Sequence, residues 1–371
     1  MPVLGGARVT GRVGRQTVGF LDVVTDTTSF GQPRRNFGVM RVKRDVGESG
    51  YIGAMVTDRR DVGNTTTANS AGGLDWSLWP TGSLNVQGFA ARTATSGVGG
   101  DDAAYRLAAD YQTGRFGFTG QHLGVGPEAA ARTGFITRTD IRQSDAFSRI
   151  TFRPKAMGLR TLEVYLVGLY TTRMDGLRMD TNKGVALSQR WNSGESLTLY
   201  ANAGRSRVDE EFDLSDSVTV DVRDYSNSNA GVFAGTSPAR AVSLSVFAQQ
   251  EWNYGGSVLN VNSNATISAG SHLNFGIGHT YGDIALPRGT FQFNLASARI
   301  NVAFTTRLFL NSLVQVNTLD RNVSANVRLQ YMYRPGSDIF LVFSEDRGDR
   351  DRPWAFEGRS VRLKVTWMAR M

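Results

Sequence analysis

Residues able to do acid–base, nucleophilic or metal chemistry are few in this chain. Histidine occurs three times, as His122, His272 and His279. A metal site needs several ligands converging on one point. His272 and His279 are seven positions apart on one predicted strand, where alternation sends them to opposite faces. Cysteine is absent, so no thiolate ligand, thiol nucleophile or disulfide is available. A Ser–His–acid hydrolase of membrane-embedded type would need a histidine beside its serine, and no spacing singles out a nucleophile, because folded geometry defines triads. The sequence assigns no catalytic residue, no metal and no cofactor, and a hydrolase is the most distant of its readings.

Charged clusters offer more. Asp209-Glu210-Glu211 with Asp213 and Asp216 gathers carboxylates of the kind a hard cation such as calcium uses. A solvated loop accounts for them more simply. Glu345 to Arg352 alternates in sign and neutralises itself; its Arg-Gly-Asp triplet is a weak adhesion signal. A third set is Arg41, Lys43, Arg106, Asp110, Arg328, Arg362 and Lys364, each lying opposite the apolar positions of an alternating segment. On a lipid-facing wall, Arg or Lys near the bilayer midplane costs about 2–4 kcal/mol. These residues are therefore expected to face a lumen or sit at a rim. A net-basic lumen favours anionic solutes, whereas pairing with acids would only stiffen the wall.

The elements that would position these charges are strands. In 322–334, Val323, Ala325, Val327, Leu329, Tyr331 and Tyr333 alternate with Ser324, Asn326, Arg328 and Gln330. The last segment sets Val361, Leu363, Val365 and Trp367 against Ser360, Arg362, Lys364 and Thr366. Tyr105, Leu107, Ala109 and Tyr111 alternate in the same way, as do Val242, Leu244, Val246 and Ala248. Such alternation is the signature of a strand with one apolar face. Segments of about 10–14 residues suit a tilted crossing of a bilayer.

Short Gly- or Asn-containing turns at 13–16, 192–195, 254–257 and 334–337 join some segments. Longer polar connections at 27–36, 58–70, 95–102, 125–133, 205–217 and 345–357 join others. Short turns at one rim and long loops at the other are expected of an outer-membrane barrel. Segment centres near 9, 21, 41, 54, 75, 88, 107, 118, 148, 165, 185, 200, 232, 247, 261, 276, 296, 312, 328, 341 and 364 give roughly 20 strands, within a range of about 16–22. Single-chain bacterial barrels favour an even number, so the odd total leaves one segment misassigned or a partner strand upstream. The expected fold is an all-β, transmembrane, antiparallel up-and-down β-barrel spanning 1–371.

Composition agrees. Apolar residues make up only 40% of the 371 positions, as suits a wall with one polar face. Six Trp, 11 Tyr and 20 Phe, regularly placed, exclude a disordered chain. No stretch of about 18 apolar residues could serve as a membrane helix. The formal charge is +8 and the basic residues are mostly Arg, but they are spread evenly without a nucleic-acid motif, which excludes that partner class. Trp76, Trp79, Tyr111, Tyr170, Trp191, Trp252, Tyr254, Tyr331, Tyr333 and Trp367 fall at or near predicted strand ends, where amphipathic rings of an interface girdle belong. A soluble propeller would show a blade period near 40–50 residues, and none is visible.

Several stretches resemble a bacterial outer-membrane barrel family of unknown function. They are Leu4–Gly14, Val39–Val46 with Tyr51–Ala54, Ser312–Asn317, Asn322–Leu329 and Tyr333–Phe343. The resemblance covers nearly the whole chain and rests on turns and strand registers, so it carries no catalytic residue across. Members of that family commonly hold a β-sandwich resembling family 9 carbohydrate-binding modules ahead of the barrel. The resemblance implies a place in the outer membrane of a Gram-negative-type bacterium, with membrane lipid and the barrel assembly machinery as partners. It also implies a channel or uptake porin for small solutes, saccharides among them, or a barrel that anchors a carbohydrate-binding module without an open pore. Two departures stand out. The sandwich is missing and Met1–Arg8 lacks the charged start and apolar core of a signal peptide, so a longer gene product is expected. The chain also ends Trp367-Met368-Ala369-Arg370-Met371, without the terminal aromatic such barrels present for insertion.

Overall fold

The computed structural model describes residues 2–27, 31–62, 68–100, 102–215, 218–287, 289–348 and 351–368. Among them there is no helix, so none long and apolar enough to cross a membrane, a statement that leaves strands untouched. The strands are β1 (Val3–Val13), β2 (Gln16–Thr25), β3 (Arg34–Val46), β4 (Gly50–Val62), β5 (Ala68–Thr81) and β6 (Leu84–Thr95). There follow β7 (Ala103–Gln112), β8 (Phe116–Val125), β9 (Ile141–Phe152), β10 (Leu159–Thr172), β11 (Arg178–Trp191) and β12 (Ser196–Val208). The next are β13 (Phe212–Ser215), β14 (Val218–Val220), β15 (Arg223–Gly235), β16 (Val242–Asn253), β17 (Gly256–Ala269) and β18 (Leu273–Leu286). The last are β19 (Gly289–Ala303), β20 (Leu308–Asn317), β21 (Asn322–Arg334), β22 (Ser337–Arg347) and β23 (Phe356–Val365).

Of these 23 strands, 21 belong to an antiparallel, up-and-down sheet, and β13 with β14 forms a separate two-stranded ribbon. Each segment centre read from alternation falls within one of the sheet strands. The ribbon was not foreseen. The fold is all-β. By compactness the chain divides into Met1–Thr151 with Tyr165–Lys183, and Phe152–Val164 with Gly184–Met371.

In the first unit, β1 to β9 each pair with the next strand in sequence. One end carries the tight turns 14–15, 47–49, 82–83 and 113–115; the other carries the ends of β2, β4, β6 and β8, and with them the long connection 126–140. Packing within the sheet depends on glycine at selected points. Trp76 lies directly opposite Gly88, and a Cβ on Gly88 would come within 2.6 Å of the indole. The ring covers the bare backbone, an aromatic-over-glycine pairing that fixes register.

In the second unit, β12 pairs with β15, and β15 to β23 again follow chain order. Tyr200 repeats the arrangement over Gly231, its cross-strand partner. One end carries the turns 236–241, 270–272, 304–307 and 335–336. There the Arg240 guanidinium meets Glu195, whose carboxyl is held below its ordinary range by Ser193 and by that arginine. The opposite end carries the β12-to-β15, β20-to-β21 and β22-to-β23 connections, but also the tight turn 254–255. The expected division into a short-turn rim and a long-loop rim therefore needs correction here. Strand parity puts the 254–257 turn at the same end as the long 209–222 connection. Tyr254 and Gly255 have φ of 53° and 79°, as a tight two-residue hairpin demands of both central residues.

Candidate functional site

The register sorts the side chains of each unit onto two chemically different faces. In the second unit, Leu310, Leu329, Leu341 and Leu363 stand side by side across β20 to β23. The next row on the same face is Val327, Phe343 and Val361. Farther along the sheet this face presents Leu244, Ala265, Ile277 and Ala298 in one row. In the first unit the apolar face presents Val18 with Val42, Phe20 with Met40 and Val56, and Leu74 with Ala90. These side chains are not covered. Leu363 is 69% exposed, Val361 66%, Leu74 59% and Leu107 54%. An apolar surface of this extent far exceeds what a soluble monomer leaves bare.

The other face is a hydrogen-bonded polar wall. In the second unit Asn202 donates to Asn229 at 2.8 Å, Asn262 to Thr280 at 2.9 Å and Asn326 to Ser344 at 2.8 Å, while the Tyr200 hydroxyl donates to Gln249 at 2.6 Å. In the first unit the wall is ionic. Arg41 meets Asp75 at 2.7 Å, Arg35 meets Asp61 at 3.0 Å, and Lys43 and Arg12 share Asp45 at 3.8 and 2.7 Å. Arg106 donates to Gln121 at 2.7 Å, which donates to Asp145 at 2.8 Å. Asp110 accepts from Thr119 at 2.6 Å.

The seven charges singled out from alternation divide between the units. Arg41, Lys43, Arg106 and Asp110 share the polar face of the first, and Arg328, Arg362 and Lys364 that of the second. Arg328 donates to Gln330 at 3.1 Å and lies over the Phe340 ring at 4.7 Å. Among the described residues no carboxylate pairs with Arg328, Arg362 or Lys364.

Two long connections fold back onto the polar face. In the first unit, 126–140 leaves β8 and packs on that face, burying Ala129 against Val125 and Ile141, with Ala104, Leu123 and Ile136 around them. Asn69, only 2% exposed, pins it: its amide donates to the Ala130 carbonyl at 2.7 Å and accepts from the Arg132 N–H at 2.8 Å. The Ala130 N–H donates to the Thr93 hydroxyl at 3.0 Å. At its far end Asp140, at a φ of 56°, accepts from Arg173 at 2.8 Å and from the Met174 N–H at 3.1 Å. Arg138 pairs with Asp180 at 2.9 Å.

Between this loop and the wall lies a cavity of about 680 Å³. Its walls are mainly apolar, with Met55, Phe89, Leu123 and Ile136 among them, and Arg41 and Asp75 supply charge. Small residues on the wall, including Ala71, Gly73, Ala91 and Ala104, leave the space open. Volume and lining fall in the range of small-molecule sites.

In the second unit the connection 209–222, carrying β13 and β14, packs on the same face. Val208, Val220 and Tyr225 form a buried cluster with Tyr254 against it, and Tyr254 also touches Ile284 and Leu286. The Tyr254 ring meets Phe212 and Tyr225 edge-on, with centroids 5.9 and 5.2 Å away. Tyr254, expected in an interface girdle, thus belongs to this loop cluster.

Trp76, Trp252 and Tyr331 lie on the apolar face, whereas the Tyr333 hydroxyl donates to the Thr366 carbonyl at 3.1 Å. Trp79 and Tyr170 are exposed, as are Tyr111, next to last in β7, and Trp367, just past β23; Trp191 closes β11.

The remaining candidates stay apart. Asp209 pairs with Arg207 at 2.8 Å and Asp213 accepts from Thr219 at 2.6 Å, while Asp216 lies outside the described residues. No metal-binding group forms among the described residues. His272 precedes β18 and bonds the Ala303 carbonyl, so it does not share a strand with His279 as expected. His279 bonds Asn294 at 3.0 Å.

His122 sits 2.8 Å from the Ser144 hydroxyl, a contact that spacing alone could not reveal. Its other nitrogen faces Tyr105 at 3.5 Å rather than a carboxylate. β8 is paired on both sides, so its N–H groups are engaged in the ladder instead of forming an oxyanion hole.

No protein-family model matches the chain, and no curated protein matches it. Solved structures do resemble it. The ferric-catecholate import receptor Fiu from E. coli shares 7% identity over 92% of this chain and 68% of its own, at a TM-score of 0.43. Pseudomonas aeruginosa OpdN shares 11% identity over 84% of this chain and 96% of its own, at 0.39. A bacterial polysaccharide outer-membrane secretin shares 10% identity over 79% of this chain and all of its own, at 0.36. At this level of likeness, the chain's own residues must define its site.

Proposed function

We propose that this chain forms the wall of an outer-membrane β-barrel that admits small solutes, with its apolar face toward lipid and its polar face toward a water-filled lumen. The observation that carries the reading is the two-faced register: uncovered Leu, Val and Ile on one side, and an Asn, Ser, Gln and ion-pair network on the other. Lipid accounts for the first face, because closed sheets leave no backbone group unpaired in hydrocarbon. Water accounts for the second. Connections 126–140 and 209–222 lie on the polar face, so the path they leave is narrower than about 20 strands alone would enclose.

On this reading Arg41, Lys43, Arg106, Asp110, Arg328, Arg362 and Lys364 line the lumen. The cations of the second unit bias the path toward anions, and the paired charges of the first mainly stiffen it. Saccharides are a further solute class within the reading. The refolded chain in a planar bilayer is expected to give discrete openings that conduct anions better than cations. Silence from protein shown to be folded and inserted would overturn the open path and favour a barrel that anchors another module.

A further inference from the structure

The cavity beneath 126–140 has the chemistry of a binding site rather than of a gap in packing. Its body is apolar, lined by Met55, Phe89, Leu123 and Ile136, on a wall that is otherwise polar. A water-filled lumen would wet such a patch at a cost, and an apolar ligand relieves that cost. Two arginines, Arg41 and Arg138, and one acid, Asp75, line the cavity. Arg41 uses one terminal guanidinium nitrogen on Asp75 at 2.7 Å, while the other lies 3.8 Å from the Met55 sulfur, with Tyr51 also beside the guanidinium. Arg138 pairs with Asp180 at 2.9 Å.

From this juxtaposition we infer that the cavity binds a small amphipathic monoanion, an aromatic or alkyl carboxylate. Its apolar body lies among Phe89, Leu123 and Ile136, and its carboxylate lies at the second nitrogen of Arg41. A charge-assisted bond there replaces a weak sulfur contact. Ala91 lies on the cavity wall opposite Gly73, so a larger side chain at that position takes up part of the space. The inference rests on the polar face being open to water.

The test is calorimetric titration of the full chain in lipid nanodiscs with 3-phenylpropionate, 3-phenylpropanol and maltose. Saturable binding of the carboxylate is expected, at least tenfold tighter than the alcohol, with none for maltose. Ala91→Phe should abolish it, and Arg41→Gln should weaken the carboxylate at least tenfold while sparing the alcohol. Equal affinity for carboxylate and alcohol, or unchanged binding in a folded Ala91→Phe protein, would overturn the proposal. Absent binding in a preparation that conducts in a bilayer would refute this site alone. Absent binding without conductance would count against the open lumen as well.

Discussion

Replacing Leu341 by arginine is expected to cost about 2–4 kcal/mol of folding stability in lipid, the penalty for a cation on the hydrocarbon-facing side of a barrel strand. Leu341 stands between Leu329 and Leu363 in an uninterrupted leucine row, with nothing polar beside it to receive the guanidinium. The control is Ser344→Arg, three residues on and on the opposite face. It gives up one hydrogen bond, from Asn326 at 2.8 Å, and is expected to lose no more than about 1.5 kcal/mol. Urea unfolding of both variants in lipid vesicles measures the difference. Equal penalties would mean that the two faces meet the same solvent.

The second large effect concerns the loop rather than the wall. Asn69→Leu removes the one side chain that both donates to Ala130 and accepts from Arg132. Each of these two part-buried backbone groups, stranded in this way, costs about 1–3 kcal/mol, so the docked loop loses about 2–6 kcal/mol. That shifts its docked population by at least about 30-fold, since 1.36 kcal/mol is a factor of ten. The ladder of β5 stays intact, because backbone pairing to β4 and β6 does not involve the amide. Expected results are rapid proteolysis within 126–140 and a larger conductance step. A loop as resistant as in the parent protein would show that apolar burial of Ala129, not Asn69, holds it.

Much of the wall was legible in the sequence because strand periodicity is a local signal. The alternation of Val323 to Tyr333 against Ser324 to Gln330 dictates which residues share a face, and the pairing of β21 with β20 and β22 only extends it. Gly14 and Gly336, at φ of 60° and 80°, announced their turns in the same local way. What the loops do was not legible. The polar-looking stretch 125–133 is part of a longer connection whose contacts reach Asn69 and Thr93, far off in sequence. Nothing in the spacing of Ala129, Ala130 and Ile136 marks them as the lid of a cavity. The ribbon of β13 and β14 escaped for a related reason, being short and charged in sequence yet held by Tyr225 of β15 and by Tyr254 in the turn after β16. Likewise, the pairing of Arg41 with Asp75 depends on β4 lying between their strands, and alternation alone cannot say which acid an arginine finds.

The lack of cysteine makes the central claim directly measurable, since any introduced thiol is unique. Single cysteines at 361, 362, 363, 364 and 365, with the protein in lipid vesicles, should react alternately with a membrane-impermeant thiol reagent. Positions 362 and 364 are expected to label rapidly. Positions 361, 363 and 365 should resist the reagent, and fluorophores attached there in detergent before reconstitution should be quenched by spin labels on the lipid chains. Uniform labelling of all five, without lipid quenching at the odd positions, would contradict a wall with lipid on one face and water on the other.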